Sequence, residues 1–462
     1  MKTIMRARRS GLFKKIAAIV AILSLHSSMT ARAQTNQPEG LTLPVAVEIA
    51  FRTNPLIRAT KSGQEMADSK IDEARAGRLP IVQFNETFAR GNNPVFVFSS
   101  LLEQGRFTSQ NFALDALNDP ASLNNFRSSI SIRAPLFDQR QTRTRINQAQ
   151  IERQQSDAEA ERARQQIRFE VLRAYYGLLV ARAKKEVADE AARMAQADVK
   201  RIRDMHEAGM VVASDLLSAE VQLAEFQQQQ IQAEGERVTA QAALNAALGL
   251  SIDTPQTVTG QLVEKEFEAA SQEEFIQFAM RNRPEMIHAR LSVESAREQT
   301  RGARGQFLPR VEIFGNFGAS GQGLASGSSD YTIGASVTFN LFDPSRRARI
   351  DQSRVAQELA AAGQDALANQ IRLEVVRAYQ LYISARARLA VAARAVEQSR
   401  ETLRIIQDRY REGLTTITES LRAQTTFVRA RLNLLASRYD HYTGFAAVLL
   451  ASGRLTDIQP FV

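Results

Sequence analysis

The chain carries one architecture twice. Leu136-Phe137-Asp138, the run Glu170 to Tyr175, Gly209 and Gly249 recur as Leu341-Phe342-Asp343, the run Glu374 to Tyr379, Gly413 and Gly453. From Glu170 onward the matched positions are 204 residues apart, so the later parts of the two copies align without a gap. A repeat of this length is one structural unit used twice, and units that cannot bury their apolar faces alone do so against each other.

Each copy reads as the end of a strand, a very long helix, a glycine break and a second helix. Asp138 and Asp343 follow the strand-like ends and predict helix N-caps, the second reinforced by Pro344 at the first helical position, where a missing N–H is harmless. No proline falls between Gln139 and Ala208, which allows about 70 residues of helix, roughly 105 Å in length. Around the first glycine the residues step by three and four: Ala188, Ala191, Ala195, Asp198, Ile202 and Met205, then Leu217, Val221, Ala224, Gln228, Ile231, Gly235, Val238 and Ala242. Val396, Leu403 and Tyr410, then Leu421, Val428, Leu432 and Tyr439, do the same in the second copy. That is the seam of an antiparallel coiled coil, with Gly209 and Gly413 at its tips.

The formal charge of +9 invites a nucleic-acid reading until it is located. Seven basic residues and no acid stand in the first 33 positions, and without them 52 basic residues face 50 acidic ones, a net +2. The electrostatic footprint that nucleic-acid binding requires is gone, and no such partner is expected. The same positions have the basic start, the apolar run Ile16 to Leu25 and the small-residue exit Ala31-Arg32-Ala33 of a secretory signal, which predicts cleavage between Ala33 and Gln34. A membrane-spanning helix would need about 20 apolar residues, twice this run. With no cysteine in the chain, a disulfide, a thiolate metal site and a lipidated N-terminal cysteine are all excluded.

Upstream of the strands, Thr42 and Pro44 start a helix that breaks at Asn54-Pro55 and resumes to about Arg78; Ser271 with Glu274 is a capping box, and Pro284 makes the same break in the second copy. Pro55 and Pro284, like Pro80 and Pro309, are 229 apart, so the first copy holds 24 or 25 extra residues between Pro80 and Leu136. Four segments then have a period of two: Val82, Phe84 and Phe88; Ile130 to Leu136; Val311, Ile313 and Phe317, interrupted by Phe314; and Tyr331 to Leu341. They predict four strands, two per copy. Period alone fits two structures equally, a small sheet resting its apolar face on the helices or membrane-barrel strands with lipid outside and water inside. The extra residues form a loop, Asn92 to Asn125, expected at the outer face, and the Gly/Ser stretch Ser320 to Ser329 is expected to be a flexible turn. The resulting organisation is a signal peptide 1–33, a first repeat 41–252, a linker 253–270, a second repeat 271–454 and a tail 455–462.

Catalytic chemistry is missing from this pattern. His206, His288 and His441 have no second ligand at metal-binding spacing and are expected to be surface or seam residues. Gly321 and Gly323 lack the lysine-serine of a phosphate loop, and neither a nucleophile elbow nor a paired-carboxylate site is present. Neither enzymatic activity nor any metal or cofactor is expected.

Four strands cannot close a membrane barrel, whose smallest bacterial form has about eight, and an open edge in lipid would leave backbone groups unpaired. If these are membrane strands, several chains share one barrel: a dimer, trimer or tetramer. The chain resembles the TolC-like outer-membrane efflux channels over nearly all of its mature length. The likeness lies in Leu41-Thr42-Leu43 with Ala46, Ala50 and Asn54-Pro55, in Leu-Pro before strands one and three, in Leu-Phe-Asp after strands two and four, and in both tips. It implies a mixed α and β membrane protein: a homotrimer with a twelve-stranded β-barrel in outer-membrane lipid, standing on a long α-helical periplasmic tunnel. Such channels give passive exit to substrates chosen by an inner-membrane pump or exporter, in tripartite efflux or type I secretion, and dock by their tips to a periplasmic adaptor (a membrane fusion protein).

The resemblance assigns adaptor docking to Gly209, Met210, Val211, Gly413 and Leu414. It places the gate at an acid six residues after the first tip glycine, a tyrosine three before the second and an arginine two after it; here these are Asp215, Tyr410 and Thr415, so the arginine is missing. The family's aspartate rings match Glu419 and Arg422, one acid kept and one turned basic, which are expected to pair with each other. The competing reading is a non-pore periplasmic coiled-coil adaptor or envelope scaffold, which would share the hairpins but need no lipid-facing strands.

Overall fold

The computed structural model describes residues 40–260, 262–263, 265–323 and 326–461. The expected signal peptide, with Ala31, Ala33 and Gln34, lies outside the described residues. Helices α1 (Leu43–Thr53) and α2 (Pro55–Ala76) lead to strand β1 (Ile81–Gly91). After α3 (Pro94–Glu103), a 3-10 turn (Ser109–Phe112) and α4 (Leu114–Asn118), β2 (Leu123–Asp138) runs into α5 (Gln141–Glu207) and α6 (Ala213–Leu248). The second copy supplies α7 (Gln272–Asn282), α8 (Pro284–Gly305), β3 (Arg310–Gly323), β4 (Ser326–Thr338), α9 (Ser345–Arg411) and α10 (Ile417–Ser452). Both α5 and α9 have 67 residues, and α6 and α10 have 36; the long helices therefore reach roughly 100 Å.

Local chemistry sets the ends of these elements. Asn54 accepts from Leu56 N at 2.9 Å and caps α2, while Pro55 removes the N–H that would have joined α1 to α2. The capping box of Ser271 and Glu274 opens α7. Asp138, expected to be an N-cap, instead ends β2, and the cap position falls to Arg140 in a left-handed conformation (φ 65°). Its carboxylate still serves the helix, accepting from Thr142 N at 2.6 Å across the intervening residues. Asp343 likewise accepts from Ser345 N at 3.0 Å, with Pro344 as the cap rather than the first helical residue.

The coiled-coil seam of the second copy is as read: Val396, Leu403, Leu421 and Val428 are buried. The first copy differs. Helix α6 buries Ala219, Phe226, Ala233 and Leu244, whereas the expected stripe of Leu217, Val221, Ile231 and Val238 is 53–75% exposed. This helix has two apolar stripes, and the one carrying the bulky Phe226 fills the space among Val187, Ala191, Ala195 and Val428.

The strands form one antiparallel sheet in the order β1-β2-β3-β4. Residues 320–329, expected as a turn, belong mostly to the strands, because β3 continues to Gly323 and β4 begins at Ser326; small side chains do not prevent a backbone ladder. β4 ends at Thr338, short of Leu341. The inserted loop has a helix of its own, α3, opened by Pro94 and capped by Asn93, which accepts from Val95 N at 3.0 Å and Phe96 N at 3.2 Å.

The described residues between α6 and α7 contain no helix, yet Val258, Leu262 and Phe267 are buried. Tyrosines on the long helices hold this segment by its carbonyls: Tyr175 donates to Thr259 O, Tyr382 to Phe267 O at 3.2 Å and Tyr442 to Val263 O at 3.1 Å. His441, expected at the surface or in a seam, is 2% exposed and stacks on Phe267 and Tyr382.

Candidate functional site

The sheet has two unlike faces. Val82 pairs with Ile132, Phe84 with Ile130, Ile130 with Phe317, Phe317 with Tyr331 and Val311 with Val337, which gathers the apolar residues of all four strands on one side. That side is bare: Phe84 is 68%, Tyr331 75% and Ile333 81% exposed. A sheet resting its apolar face on the helices is therefore excluded. One acid, Glu86, shares this face and takes a bond from the Ser128 hydroxyl. The other face carries Gln83, Asn85, Ser129, Ser131, Asn316 and Thr332; Phe314 lies here, over Gly334, which accounts for the broken alternation in β3. β1 and β4 each pair on one side only, so both present an open row of N–H and C=O groups. Among the described residues no helix is long and apolar enough to cross a membrane.

At the far end of the long helices the chain reverses sharply. Gly209 and Gly413 have φ of 73° and 74°, a conformation costly for residues with a Cβ. Met210 N donates to Met205 O and Leu414 N to Arg409 O, each at 2.8 Å, closing both helices in the same way. Met210, Val212 and Leu414 are left exposed, while Val211 turns inward against Val199, Ile202, Ala219, Ile417 and Leu421.

The residues matched to the gate lie just above these turns. Asp215 and Glu419 stand in the first turns of α6 and α10, and Glu419 accepts from Arg422 at 3.0 Å on an exposed surface. Thr415 is half-buried at the second turn. Tyr410 packs on the same cluster as Val211, and its hydroxyl is buried with no hydrogen-bond partner among the described residues. Burial pushes the Tyr410 pKa up, Asp215 and Asp198 act in the same direction, and Arg201 opposes them. The hydroxyl therefore remains a proton donor. Asp215 is close enough to act on Tyr410 electrostatically, but no hydrogen bond joins them within one chain.

A polar layer that sequence reasoning missed ties the two hairpins together. Gln424 of α10, almost fully buried, donates to Asp198 of α5, which also holds Arg201 at 2.5 Å. Thr425 donates to Gln222 at 3.2 Å, and Arg431 pairs with Glu190 at 2.6 Å. The visible signal was Asp198 itself, an acid in an apolar seam.

Comparison with known proteins agrees with this geometry. A family model described as "Outer membrane efflux protein" matches residues 46–250 and 275–454. Protein CyaE of Bordetella pertussis is 28% identical over 296 residues, a match that spans 62% of each chain. The outer membrane efflux protein BepC of Brucella suis is 22% identical over 469 residues, 98% of this chain and 93% of BepC. The alkaline protease secretion protein AprF of Pseudomonas aeruginosa is 22% identical over 337 residues, 71% of this chain and 70% of AprF. Among solved structures, the Campylobacter jejuni CmeC outer membrane channel superposes with a TM-score of 0.76 at 16% identity, covering 89% of this chain and 85% of CmeC. VceC of Vibrio cholerae gives 0.72 at 18% identity, covering 89% and 96%.

Proposed function

Because the chain belongs to the outer membrane efflux protein family, we propose that it is the outer-membrane channel of a tripartite efflux or type I secretion system, through which substrates chosen by an inner-membrane pump leave passively. The sheet carries this reading: one face is apolar and bare, the other polar, and both edges are open. Backbone groups left unpaired in lipid cost several kcal/mol each, so β4 of one copy pairs with β1 of the next. Three copies close a twelve-stranded barrel with lipid outside and water within. The stripe Leu217, Val221, Ile231 and Val238, exposed in one chain, gives the same copies an apolar seam along the tunnel. Repeats 41–252 and 271–454 each contribute two strands and one hairpin, while the described residues of the linker 253–270 and of the tail 455–462 hold to the helical body through the carbonyls of Thr259, Val263, Phe267 and Phe461. A bare apolar sheet tells against a non-pore periplasmic scaffold, which would have to keep that face in water.

The experiment is membrane fractionation with detection of the oligomer in detergent. The protein belongs in the outer-membrane fraction as a detergent-resistant trimer; a soluble periplasmic monomer would overturn the proposal. At the tips, Gly209, Met210, Gly413 and Leu414 form the docking surface for the periplasmic adaptor, since apolar groups held out on rigid turns mark binding sites; Val211, expected among them, packs inward and holds the turn instead. Leu414→Asp combined with Met210→Asp is expected to abolish efflux with the trimer intact. Asp215, Tyr410 and Thr415, with Glu419 and Arg422 beside them, line the closable end. Relatives named for efflux and for protease secretion leave the choice of cargo with the pump.

A further inference from the structure

The helices join the sheet at Ile81, Asp138, Arg310 and Thr338, so the insert between β1 and β2 springs from the opposite end. From there it folds back over the polar face. Gln104, 6% exposed at the end of α3, donates to Asn124 O at 2.8 Å and to Asn125 Oδ1 at 3.0 Å. Its neighbour Glu103 lies 3.4 Å from Arg127 Nη1 and accepts from the fully buried Ser320 hydroxyl at 3.3 Å. Arg127 in turn makes a two-point contact with Asp330, at 2.9 and 3.1 Å. The register places Asn125, Arg127, Ser320 and Asp330 on one side of the sheet, opposite to Phe317 and Tyr331. The insert is also a folded body: Asn93 and Pro94 fix the start of α3, and Phe107 packs edge-on against Phe98 and Phe112, with centroids 4.8 and 5.1 Å apart.

We propose that this insert, residues 92–122, is a lid across the outer mouth of the channel, and that three copies of it limit the size of what leaves. The inference rests on the barrel reading above, in which the polar face lines the lumen. A solvent loop would have no cause to bury a glutamine against that face, where it gives up water for fixed partners, or to set a half-exposed carboxylate on Arg127 beside it. Glu103 is the releasable contact. Swinging the lid outward breaks Glu103 from Arg127 and Ser320 but leaves Arg127 on Asp330 within the sheet. Small solutes pass the closed lid, and bulky cargo requires it to swing.

Planar bilayers test this with neutral polyethylene glycols of graded mass. The helical body stays on the side of addition, so polymers placed in the opposite compartment meet only the barrel mouth, and those that enter lower the conductance. Replacing residues 94–119 with a short Gly-Ser linker should raise the largest polymer mass admitted. If that variant does not form trimers, Glu103→Gln with Gln104→Ala decides in its place, with a smaller rise expected. An unchanged cut-off in a trimeric variant overturns the lid. If the parent protein gives no channels at all, the barrel reading fails instead, which separates the two failures.

Discussion

Tyr410→Phe removes one oxygen at the hairpin tips, and the sign of its effect tests the proposed gate. Among the described residues of one chain the Tyr410 hydroxyl is buried without a partner, a state that costs about 1–3 kcal/mol when it persists. Burial and the carboxylates of Asp215 and Asp198 keep it protonated, so it needs an acceptor that the described residues of a single chain do not provide. The expectation is that tunnel closure supplies one from the adjacent copy. An ordinary hydrogen bond contributes about 1 kcal/mol net; three tips opening together would lose about 3 kcal/mol, roughly a hundredfold change in the open-to-closed ratio. Single-channel recordings of Tyr410→Phe trimers should therefore show open probability rising by about two orders of magnitude, up to saturation. If Asp215 is the acceptor, adding Asp215→Asn should contribute little more, because both changes break one contact. The opposite result is equally readable: were the hydroxyl orphaned in the closed state too, Tyr410→Phe would relieve a penalty and lower the open probability. A fall, or no change, refutes the reasoning.

Three further outcomes follow from the same geometry. Gly249 and Gly453 end α6 and α10 with φ of 72° and 76°, but a Cβ would lie 2.7 Å from Asn54 Cα at the first and 3.2 Å from Arg283 Cα at the second. Gly249→Ala should therefore lose about 1–3 kcal/mol more than Gly453→Ala in urea unfolding, and the reverse order would be a refutation. Asp343 is held at about 2 by hydrogen bonds from Ser345 and Arg349, against an ordinary 3.8, and Lys185 and Gln230 hold Asp189 low as well. A depressed carboxylate adds stability that is present above its unfolded value and lost as pH falls through the folded one. Helicity followed by circular dichroism should accordingly be flat down to about pH 4 and fall between about pH 4 and 2; loss beginning near neutrality would implicate other groups. The mature N-terminus should be Gln34 by mass spectrometry, and an intact Met1 would refute the signal.

What the sequence made legible was whatever depended on local chemistry or on repetition. The proline breaks, the capping box at Ser271, the tip glycines and the alternation in all four strands are each written in a few neighbouring residues. The stripe of α6 was not, because a helix with two apolar faces does not state which one its own chain will use; Phe226 decides that by filling the space beside Val428. The first helix of the insert, α3, was hidden because its apolar residues Val95 to Leu102 are too few to show a period, although Asn93-Pro94 marks its start. Asp198 stood out as an acid in an apolar seam, but its partner Gln424 did not, because a contact across 226 residues of sequence leaves no local trace of the second residue. For the proposed gate, the resemblance supplied the positions and the helical spacing the Glu419–Arg422 pair, whereas the buried Tyr410 hydroxyl emerges only from packing.

The two copies also show where this architecture tolerates change. Helices α5 and α9 begin at Gln141 and Ser345 and end at Glu207 and Arg411, and α6 and α10 span Ala213–Leu248 and Ile417–Ser452, each boundary 204 residues from its counterpart. Upstream, α1, α2 and the start of β1 are 229 residues from α7, α8 and the start of β3. All 25 extra residues of the first copy therefore lie between Ile81 and Gln141. Leu136-Phe137-Asp138 and Leu341-Phe342-Asp343 are 205 apart, which puts 24 of them in the sheet and its insert and the last at the junction before α5. That junction is Gln139 and Arg140, with φ of 61° and 65°, the two left-handed non-glycine residues among those described. Gln139 is braced there by donating to Leu308 O at 2.7 Å, and Gln141 by donating to Gly302 O at 2.9 Å. One residue more inside a long helix would rotate everything beyond it by about 100° and displace it about 1.5 Å, turning the seam away from its partner and setting one tip above the other. A strained turn at the top of the helix is the cheaper place for it. The loop between β1 and β2 lies outside the coiled-coil register and accepted two dozen residues, while the hairpins, whose seams must stay in register along their whole length, accepted none.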